Sequence, residues 1–223
     1  MPAISEVTVL GAGVMGAAIA AHLANSGLRV RLLDIVPKDA PAKDSGDRRK
    51  RSAVAIAGLE AARKAKPAAF FSPRFETLVT PGNLEDDLAD AAAKSDIIIE
   101  AVIENLAIKQ KLYARLDELG GRAIITSNTS GLRIAELMQG RSAAFRGRFC
   151  ITHFFNPPRY LKLVEIVAGD DTTPATLARA EALCGGILGK GLVRAKDTPN
   201  FIANRIGTFA MMRTLTEAVK EGY

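Results

Sequence analysis

The hexapeptide Gly11-Ala12-Gly13-Val14-Met15-Gly16 constrains this chain more than any other stretch. It follows a short apolar run, Glu6–Leu10 (EVTVL), and opens Val14–Asn25, where apolar residues recur at helical spacing until Ser26-Gly27. In that setting each glycine has a separate reason to be there. Gly11 permits a tight turn, Gly13 lets a pyrophosphate approach the backbone, and Gly16 lets the helix lie close on the strand. The free N–H groups and positive dipole at the start of the helix, where Val14 and Met15 stand, attract phosphate. A second run, Arg29–Leu33, is closed by Asp34, 18 residues beyond Gly16. An acid there accepts hydrogen bonds from an adenine-ribose 2′-hydroxyl and repels a 2′-phosphate. Ile35 and Val36 follow, with no arginine to receive such a phosphate, so NAD is expected over NADP.

The rest of the chain alternates in the same way. Asp96–Glu100 (DIIIE) is short, branched and almost wholly apolar, as in a parallel strand covered on both faces. Ala123–Thr126, Arg148–His153, Leu161–Val167 and Leu192–Ala195 read as further strands. Arg48–Lys66, Leu84–Lys94, Leu106–Leu119, Leu132–Met138 and Pro174–Leu188 read as helices. Pro81-Gly82-Asn83 reads as a turn, Val36–Asp47 as a mobile loop, and Asp197-Thr198-Pro199 as the capped start of a last helix. Alternation of this kind predicts an α/β fold of Rossmann type: a doubly wound, mostly parallel sheet with helices on both faces.

Several classes are excluded by composition. The 223 residues suffice for a substantial core, and no apolar run reaches the roughly 18 residues of a membrane helix, so no membrane insertion is expected. The net charge of +6 owes much to Arg48-Arg49-Lys50-Arg51. That cluster reads either as a solvated helix start or as an attraction for an anionic ligand tail. No aromatic residues are interleaved with it, so no nucleic-acid partner is expected. Cys150 and Cys184 are too few and too isolated for a disulfide framework or a zinc site, and no metal is expected. A reducing, cytoplasmic setting follows. Gly185–Gly191 imitates a phosphate loop, but its glycine spacing is short and Gly191 stands where a magnesium-binding Ser or Thr belongs.

The chain has two histidines, and His153 opens the stretch HFFNPPRYLKLVEI. Oxidising an alcohol needs a base for the O–H proton, and histidine is suited to that near neutral pH. Glu165 lies 12 residues on. If Phe154–Tyr160 turns between adjacent strands, its carboxylate can face the ring. Spacing alone leaves two readings open: a core ring beside two phenylalanines, or a base with an orienting acid.

The motifs GAGVMGAAIAAHLANSG, VIENLAIK, SNTSGL, HFFNPPRYLKLVEI and KDTPNFIANRIG occur in this order. Together they resemble the NAD-binding part of the 3-hydroxyacyl-CoA dehydrogenase family over essentially the whole chain. They look closest to the long bacterial fatty-acid β-oxidation enzymes fused to an enoyl-CoA hydratase-like module. The resemblance implies an (S)-3-hydroxyacyl-CoA substrate, with His153 as general base and Glu165 as its orienting acid. It implies that Ser130 bonds the 3-oxygen and that Asn204 helps hold substrate and His153. Glu104 and Lys109 would flank the nicotinamide ribose, Asn156 would contact the nicotinamide end, and Lys66 would meet the CoA moiety. Without the resemblance, Ser130 reads as a cap for the helix at Leu132, Asn204 as a solvent-facing helix residue, and Glu104 with Lys109 as a surface ion pair.

Residues 1–198 are thus expected to form the NAD-binding domain, and residues 199–223 the first helix of a C-terminal helical domain otherwise missing from this chain. In the family that domain completes the acyl pocket and makes a homo-oligomer, and without it Ile206, Phe209, Met212 and Leu215 lose their usual partner. Two alternatives remain. One is a β-hydroxyacid dehydrogenase acting on a free acid, a branch that uses a catalytic lysine; the other is a non-catalytic NAD-binding protein.

Overall fold

A computed structural model describes residues 3–223. The chain opens with β1 (Glu6–Leu10), α1 (Val14–Asn25) and β2 (Arg29–Asp34), the unit read from the glycine loop. Then come α2 (Arg48–Arg51), α3 (Ala53–Lys64), β3 (Val79–Asn83), α4 (Leu88–Lys94), β4 (Ile97–Glu100), α5 (Leu106–Leu119) and β5 (Ile124–Ser127). The second half holds α6 (Ile134–Leu137), α7 (Ala143–Gly147), β6 (Phe149–Phe154), β7 (Leu163–Ala168), α8 (Pro174–Glu181), β8 (Gly191–Ala195) and α9 (Ala203–Lys220).

The strands form one sheet in the order β3-β2-β1-β4-β5-β6-β7-β8. Every neighbouring pair is parallel except β6–β7. From β1 the chain winds outward to β3 and then returns to β4 on the other side of β1. That reversal opens a crevice beyond the carboxyl ends of β1 and β4, where doubly wound sheets take their ligands. Alternate residues of the strands face opposite cores. Val7 and Val9 join Ile19, Leu23 and Leu59 beneath α1 and α3, while Leu10 joins Leu88, Leu112 and Leu116 beneath α4 and α5. Ile97, Ile98 and Ile99 of β4 are fully buried, as expected of a central strand covered on both faces.

Four local expectations are corrected. Pro81-Gly82-Asn83 is not a turn but the end of β3, an edge strand where a missing N–H is tolerated. The helix expected over residues 48–66 breaks at Ser52. Arg51 is drawn inward to make paired hydrogen bonds of 2.8 and 2.9 Å to Asp86, and Asn83 donates to the buried Ser52 hydroxyl. Part of the basic cluster is therefore buried rather than solvated. The 36–47 segment is a loop, as expected, with one short 3-10 turn at Lys43–Ser45. The last helix starts at Ala203, not Pro199, because Asn200 (φ 63°) and Phe201 (φ 46°) take left-handed conformations that interrupt it. Asp197 caps a different helix: its carboxylate accepts from the N–H groups of Ile134 (2.9 Å) and Ala135 (3.3 Å) at the start of α6.

Candidate active site

The glycine loop turns at the carboxyl end of β1. Gly11 has φ +100°, and an added Cβ would lie 2.5 Å from the Ala101 carbonyl oxygen. At Gly16 a Cβ would lie 1.9 Å from the Gly11 oxygen, so helix and loop touch through bare backbone. Gly13 differs: nothing lies within 4 Å of a Cβ there. Its open side is where a phosphate can reach the start of α1. Asp34 closes the loop by accepting from Ala12 N (2.5 Å) and Ile35 N (2.6 Å).

A cleft of about 990 Å³ runs from this loop across the carboxyl ends of the strands. Gly11, Gly13, Val14, Met15 and Asp34 line one side of it; Glu104, Asn128 and Ser130 line the other. Ile35, Val102 and Ile108 give it apolar walls. These residues fit a dinucleotide: an open glycine at a helix start, an acid at the end of β2 and an apolar slot between them. Gly16 and Lys109 sit beneath this surface, both buried.

The antiparallel β6–β7 pair builds the second part. Its register sets His153 directly opposite Glu165. His153 Nδ1 lies 2.8 Å from Glu165 Oε2 and Nε2 lies 3.1 Å from Ser130 Oγ. Glu165 is 1% exposed, and its other oxygen accepts from Ile202 N (3.0 Å) and Ala203 N (2.8 Å) at the start of α9. A carboxylate can only accept, so Nδ1 carries a proton, and in the neutral ring Nε2 then presents its lone pair beside Ser130. Phe155 and Phe201 wall the ring, with centroids 4.5 and 5.7 Å away. Ser130 itself is exposed, so a bound oxygen can reach its hydroxyl beside the buried Nε2.

The remaining candidates divide. Asn204 is half-buried, with Nδ2 3.4 Å from the Ser130 carbonyl. Ser130 caps no helix: Leu132 lies before α6, and its N–H donates to Thr129 Oγ1 (3.1 Å) within the loop. Lys109 is 1% exposed and pairs with Glu100 (2.6 Å) and Glu104 (3.3 Å), which is no surface ion pair. Asn156 and Lys66 lie on a second cleft of about 620 Å³, between α1, α3 and the 156–160 segment, which meets the first at Gly13 and Val14.

Two buried polar groups escape sequence reasoning. Glu100 is fully buried and accepts from Val102 N, Lys109, Tyr113 and Ser127 at 2.5–2.7 Å. Its signal was an acid ending an otherwise apolar strand. Lys190, in the stretch that imitates a phosphate loop, donates to the carbonyls of Pro158 and Leu161, fastening the connection between β6 and β7. Burial lowers its pKa. Cys150 and Cys184 are buried free thiols; burial pushes Cys184 up to about 12 and Cys150 further.

Comparison with known proteins agrees with this geometry. The model of the family described as "3-hydroxyacyl-CoA dehydrogenase, NAD binding domain" matches residues 6–198. A probable 3-hydroxyacyl-CoA dehydrogenase of Bacillus subtilis is 48% identical over 99% of this chain and 29% of its own length. A Deinococcus radiodurans protein of the same description is 44% identical over 98% of the chain and 61% of its own length. Thus the chain spans less than two thirds of either relative. Among solved structures, FadB2 of M. tuberculosis superposes with a TM-score of 0.78 at 29% identity, covering 100% of this chain and 74% of that one. The (S)-3-hydroxybutyryl-CoA dehydrogenase PaaH1 of Ralstonia eutropha gives 0.72 at 32% identity, covering 99% and 73%. The chain therefore belongs to the family of NAD-binding domains of the 3-hydroxyacyl-CoA dehydrogenases.

Proposed function

We propose that this chain is the NAD-binding, base-bearing part of an (S)-3-hydroxyacyl-CoA dehydrogenase of fatty-acid β-oxidation, working in the cytoplasm. One observation carries the reading. His153 is backed by Glu165 and turns Nε2 toward Ser130 at the edge of the cleft that begins at the glycine loop.

In this reading Ser130 and His153 hold the substrate 3-hydroxyl between them, and Nε2 removes its proton as the alcohol becomes a ketone. NAD held in the cleft would supply the acceptor for the hydride that leaves the same carbon. Glu165 keeps the ring in the Nδ1–H tautomer and steadies the imidazolium that forms. Asn204 holds the Ser130 loop from the side of α9. Gly11, Gly13, Val14 and Met15 take the pyrophosphate, Gly16 lets α1 pack close behind them, and Asp34 takes the adenine ribose. Glu104 and Asn156 serve the nicotinamide end, Lys109 is buried behind Glu104 instead of flanking the ribose itself, and Lys66 on the second cleft meets the CoA.

Residues 199–223 then begin a helical domain that completes the acyl pocket and makes a homo-oligomer. The exposure of Ile206 (65%), Phe209 (73%), Met212 (54%) and Leu215 (54%) on α9 supports this. An assay of NADH formation from 3-hydroxyacyl-CoA and NAD tests the assignment, and His153→Gln should abolish turnover while NAD still binds. Substantial activity in that variant refutes the role of the base.

A second reading has one observation in its favour. A 33% identical relative from Mesorhizobium japonicum carries the description 5-formyl-3-hydroxy-2-methylpyridine 4-carboxylate 5-dehydrogenase. Turnover of free hydroxy acids in preference to their CoA thioesters would favour such a substrate here.

A further inference from the structure

Glu104 makes contacts that a cofactor ligand does not need. It stands just before α5, and its side chain is 45% exposed. Its Oε1 accepts from the Thr129 hydroxyl (2.5 Å) and from Ser130 N (3.0 Å). Both donors belong to the loop that aims Ser130 Oγ at His153 Nε2, 3.1 Å away. Its Oε2 lies 3.3 Å from the ammonium of Lys109. Partial burial works against ionisation of Glu104, but the Thr129 hydroxyl, Lys109 and Ser130 N together bring its pKa below the usual value.

Lys109 itself is 1% exposed and is held 2.6 Å from Glu100, which is fully buried. Tyr113 and Ser127 complete the shell of Glu100 at 2.5 and 2.6 Å. Burial and the adjacent Glu100 raise the Tyr113 hydroxyl well above the phenol range, so it remains a donor. Glu100 ends β4, Ser127 ends β5 and Tyr113 lies in α5. A continuous run of polar contacts therefore leads from three packed elements of the core, through Lys109 and Glu104, to Ser130. A buried ion pair is rarely a net source of stability, and fixing geometry is one use for it.

We propose that Glu104 is a positioning residue that holds Ser130 against His153, with Lys109 and Glu100 as its rigid mount. This goes beyond a contact with the nicotinamide ribose and rests on the proposed role of Ser130 at the reacting oxygen. Direct contact alone would make Glu104 and Lys109 matter for NAD affinity. Positioning makes them matter for the Ser130–His153 contact even when no cofactor is bound.

The chain has only two histidines, so ring-nitrogen NMR of the intact chain reads this contact directly. His22→Gln assigns the spectrum, and Ser130→Ala gives the position of the His153 Nε2 resonance when the contact is lost. Glu104→Ala should move that resonance toward the Ser130→Ala value. Glu104→Gln, which keeps an oxygen acceptor for Ser130 N–H, should stay between Glu104→Ala and wild type. Lys109→Met should move it in the same direction as Glu104→Ala. A His153 resonance that coincides with wild type in folded Glu104→Ala overturns the proposal.

With 3-hydroxyacyl-CoA as substrate and NAD saturating, Glu104→Ala should lower kcat by up to roughly 100-fold, whatever it does to the KM for NAD. A raised KM for NAD at unchanged kcat overturns it as well. The resonance needs no turnover, so an inactive wild-type chain would refute the dehydrogenase assignment while the spectrum still decides the positioning role.

Discussion

His153 and Glu165 stand directly opposite each other on antiparallel strands, Nδ1 2.8 Å from Oε2, and the same carboxylate receives two backbone N–H groups from the start of α9. One acid thus joins the ring to the last helix. Replacing Glu165 with Gln keeps the shape but puts an amide where a charge faced the ring. The expected result is a kcat lower by roughly 100-fold or more, with NAD affinity unchanged. Parallel measurement of turnover and NAD titration checks it, and a loss confined to NAD binding would contradict the assigned roles.

Two of the loop glycines, Gly13 and Gly16, should respond differently to alanine. A Cβ at Gly13 meets nothing within 4 Å, so Gly13→Ala should fold with nearly unchanged Tm and bind NAD much more weakly. Gly16→Ala drives a methyl to 1.9 Å from a carbonyl oxygen and should lower Tm strongly. Thermal melts with and without NAD separate the two. Equal losses of Tm would argue against an open phosphate position at Gly13.

Asp34 lines the cleft and uses both oxygens on loop N–H groups. Asp34→Ala removes a charged acceptor, which costs roughly 1.5–3 kcal/mol, or about tenfold to a hundredfold in NAD affinity. Repulsion of a 2′-phosphate vanishes with it, so the preference for NAD over NADP should shrink. Competitive titration of the two cofactors measures this, and an unchanged ratio would place the ribose elsewhere.

Lys109 and Glu100 form an ion pair with side chains 1% and 0% exposed. Lys109→Met strands a buried carboxylate and should cost about 3–5 kcal/mol of stability. Adding Glu100→Gln removes the stranded charge and should recover part of the loss. Urea unfolding of both variants tests this coupling; losses that simply add would show that the two side chains act independently.

His22 should make stability depend on pH. Neither of its ring nitrogens has a partner, and burial, with Lys190 and Arg159 nearby, lowers its pKa from 6.5 to about 4. The fold holds the neutral ring. Between pH 6.5 and 4 the unfolded chain therefore binds more protons, and stability falls as pH falls through that window. The contribution is complete above pH 6.5 and amounts to up to about 3 kcal/mol. Urea midpoints at several pH values should show the slope in wild type and a shallower one in His22→Leu. Identical slopes would assign the effect to other groups.

Much of this was legible in the chain itself. The glycine loop, Asp34 and the isoleucines of β4 are local signals, because turn geometry, phosphate approach and two-sided burial each demand particular residues at close spacing. His153 and Glu165 were legible only as a pair 12 residues apart, since spacing does not state the register of a hairpin. Glu100, Lys190 and Asp197 were read as a strand end, part of a false phosphate loop and a cap for the wrong helix. Glu100 draws Tyr113 and Ser127 from 13 and 27 positions on, and the other two have their partners further off still. Asp197 binds α6, 62 and 63 positions earlier, and Lys190 binds carbonyls 29 and 32 positions earlier.

By itself, then, the sequence determined the alternating strands and helices, the dinucleotide loop and the residue types able to move a proton. Those follow from backbone sterics, hydrophobic period and side-chain chemistry, which act between neighbours in the chain. Only the tertiary structure decided that Glu165 faces His153, that Ser130 faces its other nitrogen, and that a buried lysine braces Glu104 beneath them. Those contacts depend on which strands lie side by side and in what register, and that is set by packing the whole sheet between its two layers of helices.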